Sequence, residues 1–292
     1  MRGGDKASRS GAAAEIAAAR TGGPPSIPPA IPPVGGPAEP TEPTEPTGPT
    51  EPAAPSVPIL RLAGVHKRFP GVHALRGADL DIRAGEVHAL VGENGAGKST
   101  LLKIATGAHA PDGGEVEIDG RPTVLPDPIA AQRLGIAAIY QELDLLPARS
   151  VRENLFLGRE PARFGIPDLR IERARSRDAL ERLGAPIDPE SLVRDLDVAQ
   201  QQLIVIARAL LADARLLVLD EPTAALTPRE VERLLALLRD LRAAGKGILF
   251  ISHRLEEVLA IADRVTILRD GKTIGTWLRS ELTREEMILS LI

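Results

Sequence analysis

From residue 59 onward the chain alternates short apolar runs with amphipathic stretches. Glu86-Val87-His88-Ala89-Leu90-Val91 predicts a buried strand, and the polar sequence after it opens a helix predicted over Ser99 to Thr106. Leu216 to Leu219 is apolar at every position, the pattern of a parallel strand covered on both faces, and Gly247 to Ile251 repeats it. Each of these runs breaks off at polar residues. Ile59 to Phe69 and Ala78 to Ile82 predict strands of a small antiparallel sheet, with Pro70-Gly71 as the turn between them. Val116 to Ile118 predicts a further strand and Asp119-Gly120 a hairpin turn. Ala137 to Glu142 is an apolar strand ending abruptly in amides and acids. Glu153 to Leu157 and Leu169 to Leu183 carry helical periodicity with many exposed Arg and Glu positions, so about 145–200 reads as a mostly helical insertion. A further helix runs on through Leu211.

Residues 1–57 lack this texture. More than half of the 26 prolines lie at or before Pro58, and Glu39 to Pro52 repeats Glu-Pro-Thr with little variation. Proline at every third position favours an extended chain, and almost nothing there could form a core. Arg2, Lys6, Arg9 and Arg20 stand among alanines, but no apolar run of a signal sequence accompanies them. The expectation is a disordered Pro/Glu/Thr-rich tail over 1–57 followed by one folded domain over 58–292.

Composition narrows the chemistry. A net charge of −4 and a pI near 5.8 give no basic field for nucleic acid, so no such partner is expected. There is no cysteine, which excludes disulfides and thiol chemistry in these 292 residues and fits a reducing compartment. Aromatics amount to 2%, which argues against binding a sugar or a base by ring stacking as the chain's task. The apolar runs are strand-length, short of the roughly 18 residues of a membrane-spanning helix, so the chain is expected to be soluble by itself.

The strongest chemical signal is Gly92-Glu93-Asn94-Gly95-Ala96-Gly97-Lys98-Ser99-Thr100, between a strand and a helix. Such a loop cradles phosphate: Gly92, Gly95 and Gly97 are expected to let the backbone take positive φ and turn successive N–H groups inward. Lys98 brings a positive charge to the phosphate oxygens, Ser99 offers a hydroxyl to Mg²⁺, and the helix N-terminus faces the anion. Asp220 and Glu221 follow the strand Leu216–Leu219, at the end where open α/β sheets bind ligands. Asp220 suits Mg²⁺, and Glu221 suits taking a proton from an attacking water. Of the five histidines only His253 sits at such a strand end. The other four show no ligand spacing.

Together these stretches resemble the ATPase subunit of ABC transporters from about Ile59 to the C-terminus. Phe69 matches the adenine-stacking aromatic and Gly92 to Thr100 the phosphate loop. Gln141 matches the Q-loop glutamine, and Leu196-Asp197-Val198-Ala199-Gln200 with the glutamines after it the signature. Leu216 to Glu221 matches the second nucleotide motif, Ala224 to Thr227 the D-loop, and His253 the switch histidine. A narrower resemblance, through FPGVHAL, IYQELDLLP, SVRENLFLGRE, DEPTAALT and ISHRLEEV, is to the ATPase subunits of ribose-, galactose- and xylose-type sugar importers, which usually carry two cassettes in tandem. This chain ends about where the first would hand over to the second. Either a stand-alone half or a truncated product would end there.

The resemblance implies an α/β P-loop NTPase of ABC type, with a RecA-like core, an antiparallel β subdomain and a helical subdomain. It implies ATP and Mg²⁺ as cofactors, with Ser99, Gln141 and Asp220 around the metal, Lys98, Glu221 and His253 at the γ-phosphate, and the signature closing over the nucleotide of another cassette. The implied partners are a second cassette (an identical chain or another), transmembrane permease subunits and, indirectly, an extracytoplasmic solute-binding protein, which places the chain peripherally at the cytoplasmic face of the cell membrane. Asp197 departs from the serine usual in the signature and would meet the γ-phosphate as a like charge unless protonated or rotated away. Thr227 and Val205 stand where many relatives have aspartate and glutamate. The rival expectations are a regulatory or vestigial half-cassette that binds ATP but hydrolyses it poorly, and a non-transport ABC ATPase.

Overall fold

The computed structural model of the chain describes residues 57–140, 143–163 and 166–291. The tail expected over 1–57 lies almost wholly outside them, as does Gln141. In chain order the elements begin with β1 (Leu60–Phe69), β2 (Val72–Ile82), β3 (Val87–Val91), α1 (Lys98–Ala105), β4 (Gly113–Ile118), β5 (Arg121–Pro122), α2 (Pro128–Arg133) and β6 (Ile136–Ile139). Then come α3 (Val151–Phe156), β7 (Ala162–Arg163), β8 (Ile166–Pro167), α4 (Leu169–Arg182) and α5 (Val198–Leu211). The chain continues through β9 (Leu216–Asp220), α6 (Pro228–Ala243), β10 (Gly247–Ile251), α7 (Leu255–Ile261), β11 (Arg264–Arg269), β12 (Lys272–Leu278) and α8 (Arg284–Leu291).

A six-stranded sheet of order β12-β11-β3-β10-β9-β6 forms the centre. It is parallel from β11 through β6, and β12 closes one edge antiparallel to β11. The continuous apolar runs follow from this position: every residue of β3, β9 and β10 is buried. Successive side chains of a strand point to opposite faces, and the two faces enter different cores. Leu217, Leu219, Ile248 and Phe250 pack with helices α3 to α6. Leu216, Val218, Leu249 and Ile251 pack with α1 and the second sheet. That second sheet is antiparallel, of order β2-β1-β4-β5. Its β4–β5 hairpin turns at Asp119 and Gly120, both at positive φ, the geometry of a two-residue primed turn.

The helices start where local chemistry caps them. Ser150 and Glu153, Asp197 and Gln200, and Thr227 and Glu230 form reciprocal capping boxes for α3, α5 and α6. Pro228 adds a preset φ to the first turn of α6. Between α3 and α4, inside the stretch expected to be mostly helical, the chain forms the short antiparallel pair β7–β8. Only two residues pair on each side, too few for a period-2 pattern to register. Among the described residues no helix is long and apolar enough to cross a membrane.

Candidate functional site

The phosphate loop leaves β3 and enters α1, and its glycines serve two different needs. Gly95 and Gly97 take positive φ (87° and 106°), and a Cβ on Gly97 would stand 2.7 Å from the Ala74 carbonyl oxygen. Gly92 does not take positive φ, contrary to the sequence expectation. It is glycine because a Cβ there would collide with the Leu268 carbonyl oxygen of β11. Only the packing of β11 beside β3 creates that demand.

Lys98 folds back over the loop, donating from Nζ to the carbonyl oxygens of Gly92 (2.7 Å) and Glu93 (3.0 Å). Its ammonium is buried among the loop atoms, which pushes its pKa down despite the opposing charges of Glu221 and Asp220. Asp220, at the C-terminal end of β9, is held above its ordinary carboxylate range, first by burial and then by the charge of Glu221. Lys98 and a hydrogen bond from Ser99 pull the other way without prevailing. Loop and strand thus meet at one place, an ammonium on one side and two carboxylates on the other.

Glu221 turns the chain after β9 at φ 51°, a left-handed conformation that side chains beyond Asn and Asp rarely adopt. Its amide donates to the Ile251 carbonyl oxygen at 3.0 Å, carrying the β9–β10 pairing one residue past Asp220. The turn puts the Glu221 carboxylate 2.6 Å from His253 Nδ1, at the end of the neighbouring strand. Strain of this kind at a strand end is characteristic of functional positions.

An open cleft of about 620 Å³ runs from the loop to the antiparallel sheet, lined by Asn94, Gly95, Lys98, Ser99 and Thr100 on one side and Phe69, Val72 and His73 on the other. Glu93 and Ala96 complete the loop without lining the cleft, Glu93 being exposed and Ala96 buried. Phe69 ends β1 with 37% of its surface exposed, edge-on to His109 and near Lys67 Nζ. Its ring is therefore available to a planar group in the cleft.

Leu196, Asp197, Val198, Ala199 and Gln200 are not part of this cleft. They form the start of α5, and Val198 is exposed. The Asp197 carboxylate accepts from the Gln200 amide at 2.8 Å, and Gln200 Oε1 accepts from the Asp197 amide at 3.1 Å. The carboxylate is thus rotated onto the first turn of its own helix, the capping work that a serine does equally well. Val205 is buried in the core beneath, where a glutamate would place a charge among apolar side chains.

The donor set fits nucleotide and Mg²⁺. The Lys98 ammonium hydrogen-bonds only to carbonyl oxygens, and Asp220 stays above its ordinary range even with Lys98 nearby. The Ser99 hydroxyl and Asp220 carboxylate are hard oxygen ligands. No group of three or more acidic, His or Cys residues that could hold a metal occurs among the described residues. Mg²⁺ takes one or two carboxylates and completes its shell with phosphate and water.

A family profile described as ABC transporter matches residues 75–224, just over half of the chain. The chain belongs to the ABC transporter family. The ribose import ATP-binding protein RbsA 1 of Rubrobacter xylanophilus is 50% identical over 234 residues, 80% of this chain and 47% of that protein. A putative ribose/galactose/methyl galactoside import ATP-binding protein of Burkholderia cenocepacia is 49% identical over 238 residues, 80% and 46% of the two chains. The cassette spans about half the length of these curated relatives. A solved ATP-binding cassette, described as a dimeric post-hydrolysis state bound to ADP and Pi, superposes with a TM-score of 0.68 at 26% identity, covering 75% of this chain and 98% of the other. The architecture is accordingly the α/β P-loop NTPase fold of ABC cassettes, with its antiparallel sheet beside the parallel core.

Sequence reasoning passed over Glu257. It is a buried carboxylate in the first turn of α7 and accepts from the hydroxyls of Thr223 (2.8 Å) and Ser252 (3.0 Å). Nothing in the linear pattern joins residues 223, 252 and 257. They meet because β9 and β10 are adjacent strands.

Proposed function

We propose that this cassette is the ATP-binding and ATP-hydrolysing subunit of an ABC importer for a monosaccharide, working by ATP-driven closure of paired cassettes. The observation that carries it is that a partly buried ammonium, a hydroxyl–carboxylate pair and the Glu221–His253 contact meet where the phosphate loop faces the end of β9. The import names of relatives about 50% identical supply the substrate class.

The adenine lies against Phe69, and the loop from Gly92 to Thr100 surrounds the phosphates with backbone N–H groups. Ser99 and Asp220, with Gln141, would hold Mg²⁺, which when bound neutralises charge on the phosphate oxygens. Glu221 accepts a proton from water as the water oxygen bonds to the γ-phosphorus and the bond to the β-phosphate oxygen breaks, leaving ADP and phosphate. Lys98 offsets the negative charge building on the phosphoryl oxygens, and His253 contacts the γ-phosphate while keeping Glu221 in place. The signature at Leu196 to Gln200 serves the nucleotide of a second cassette, an identical chain or another. The surface from Gln141 to Arg159 faces permease subunits, with the solute-binding protein beyond them and this subunit peripheral at the cytoplasmic face of the membrane.

Mg²⁺-ATP hydrolysis by the purified chain across protein concentration tests the reading. Turnover rising cooperatively as dimers form supports it. Tight ATP binding without turnover at any concentration supports instead a half-cassette that binds nucleotide and does not turn it over.

A further inference from the structure

The contact between Glu221 and His253 joins the loops that follow two neighbouring strands. Glu221 begins the segment after β9, and His253 lies in the turn after β10. On one side the loops are tied by the amide of Glu221 donating to Ile251. The second tie is a side chain. Glu257 Oε2 accepts from Thr223 Oγ1 at 2.8 Å, two residues past Glu221, and from Ser252 Oγ at 3.0 Å, one residue before His253. Ser252 Oγ in turn accepts from the Arg254 amide at 3.0 Å, one residue past His253, and Arg254 Nη1 donates to Glu257 Oε1 at 3.2 Å. Thr223, Ser252 and Glu257 are all buried, at 1%, 0% and 7% exposure, so water does not substitute for these bonds. His253 itself is 62% exposed and has no comparable packing to hold it. One buried carboxylate therefore gathers both loops from behind the pair.

We propose that Glu257 is a positioning residue for hydrolysis: it holds Thr223 and Ser252 on one oxygen and so keeps Glu221 and His253 in contact across the β9 and β10 ends. The role rests on the hydrolytic reading of Glu221, and it acts on the water-activating step rather than on nucleotide binding, because Glu257 lines no part of the cleft that takes the nucleotide. A misplacement of about 1 Å in such a pair costs on the order of a hundredfold in rate.

The test uses the full chain in three forms, wild type, Glu257→Ala and Glu257→Gln, with two readouts. In turnover, Glu257→Ala is expected to lower kcat about a hundredfold while KM for ATP stays within about twofold, and Glu257→Gln, which retains an acceptor oxygen for both hydroxyls, should recover most of kcat. In NMR spectra of the nucleotide-free chain, the His253 ring resonances should shift on Glu221→Gln in the wild-type and Glu257→Gln backgrounds. In the Glu257→Ala background that response should vanish. Should Glu257→Ala fail to fold, Thr223→Val removes one of the two bonds with little change of shape and should weaken the same response. A full His253 response in Glu257→Ala, or in Thr223→Val where that variant stands in, overturns the proposal. So does a rise in KM that accounts for the loss of kcat/KM. Absence of wild-type turnover overturns the hydrolytic reading instead, and the ring response still decides whether Glu257 positions the pair.

Discussion

The Glu221 carboxylate lies 2.6 Å from His253 Nδ1, although 32 residues separate them in sequence. A ring N–H at Nδ1 can donate to the carboxylate across this distance, which holds Glu221 and His253 together at the two strand ends. Glu221→Gln keeps the shape and removes the base. The expected outcome is unchanged ATP affinity with hydrolysis reduced by about 10²- to 10⁴-fold, read by single-turnover kinetics beside equilibrium nucleotide binding. Unchanged turnover would remove Glu221 from the role.

Asp220 sets function against stability in the nucleotide-free chain. Burial and the Glu221 charge raise its pKa in the folded state, so between the unfolded and folded values the native form binds more protons. Stability from this group is present at acid pH and is lost as pH rises through the raised pKa. Asp220→Asn should therefore raise Tm at neutral pH and flatten that part of the stability–pH profile. The same variant should lose the gain in Tm that Mg²⁺ gives in the presence of ATP. Thermal melts across pH, with and without Mg²⁺-ATP, read both effects.

Asp197 caps α5 from within its own first turn. Serine caps as well as aspartate does, so Asp197→Ser should change stability by only a few tenths of a kcal/mol, whereas Asp197→Ala should cost about 1 kcal/mol. Chemical denaturation of the two variants distinguishes them. Turnover measured on Asp197→Ser then reports the effect of the signature carboxylate on catalysis free of any folding defect.

Arg264 of β11 joins the sheet to the antiparallel subdomain. Its Nη1 and Nη2 donate to the two carboxylate oxygens of Asp81 at 2.8 and 2.7 Å, and Nη1 also reaches Glu86 at 3.3 Å. Burial pushes the Asp81 pKa up, but the bond and charge of Arg264 bring it below its usual range. Asp81 thus contributes stability that is present above its unfolded pKa and is lost as pH falls through the folded value. Arg264→Met should cost about 3 kcal/mol at neutral pH, because it removes the paired bonds to Asp81 and leaves that carboxylate only the Arg83 contact at 3.3 Å. It should also reduce that acid-side loss, which urea denaturation at a series of pH values would show.

The structure alters the reading of individual residues more than it alters the plan of the chain. The strands β3, β9 and β10 were visible because a strand covered on both faces must be apolar throughout, and the loop before α1 because phosphate binding fixes the spacing of its glycines, lysine and hydroxyl. The β7–β8 pair was invisible, being shorter than any period that could reveal it. Gly92 was legible as part of the loop but not for its own reason, since the Leu268 carbonyl that excludes a side chain there comes from a strand more than 170 residues away.

By itself, the sequence determined the central strands and their chemistry: apolar runs of strand length, the spacing of the phosphate loop, and acids placed directly after a buried strand. Those are local demands, met within a few neighbouring residues. Only the tertiary structure decided which strand ends stand side by side. The β9–β10 register brings Glu221 to His253 and sets Glu257 behind them, and burial at that junction moves the pKa values of Lys98 and Asp220. Strand order arises from packing between distant segments, so no local pattern carries it.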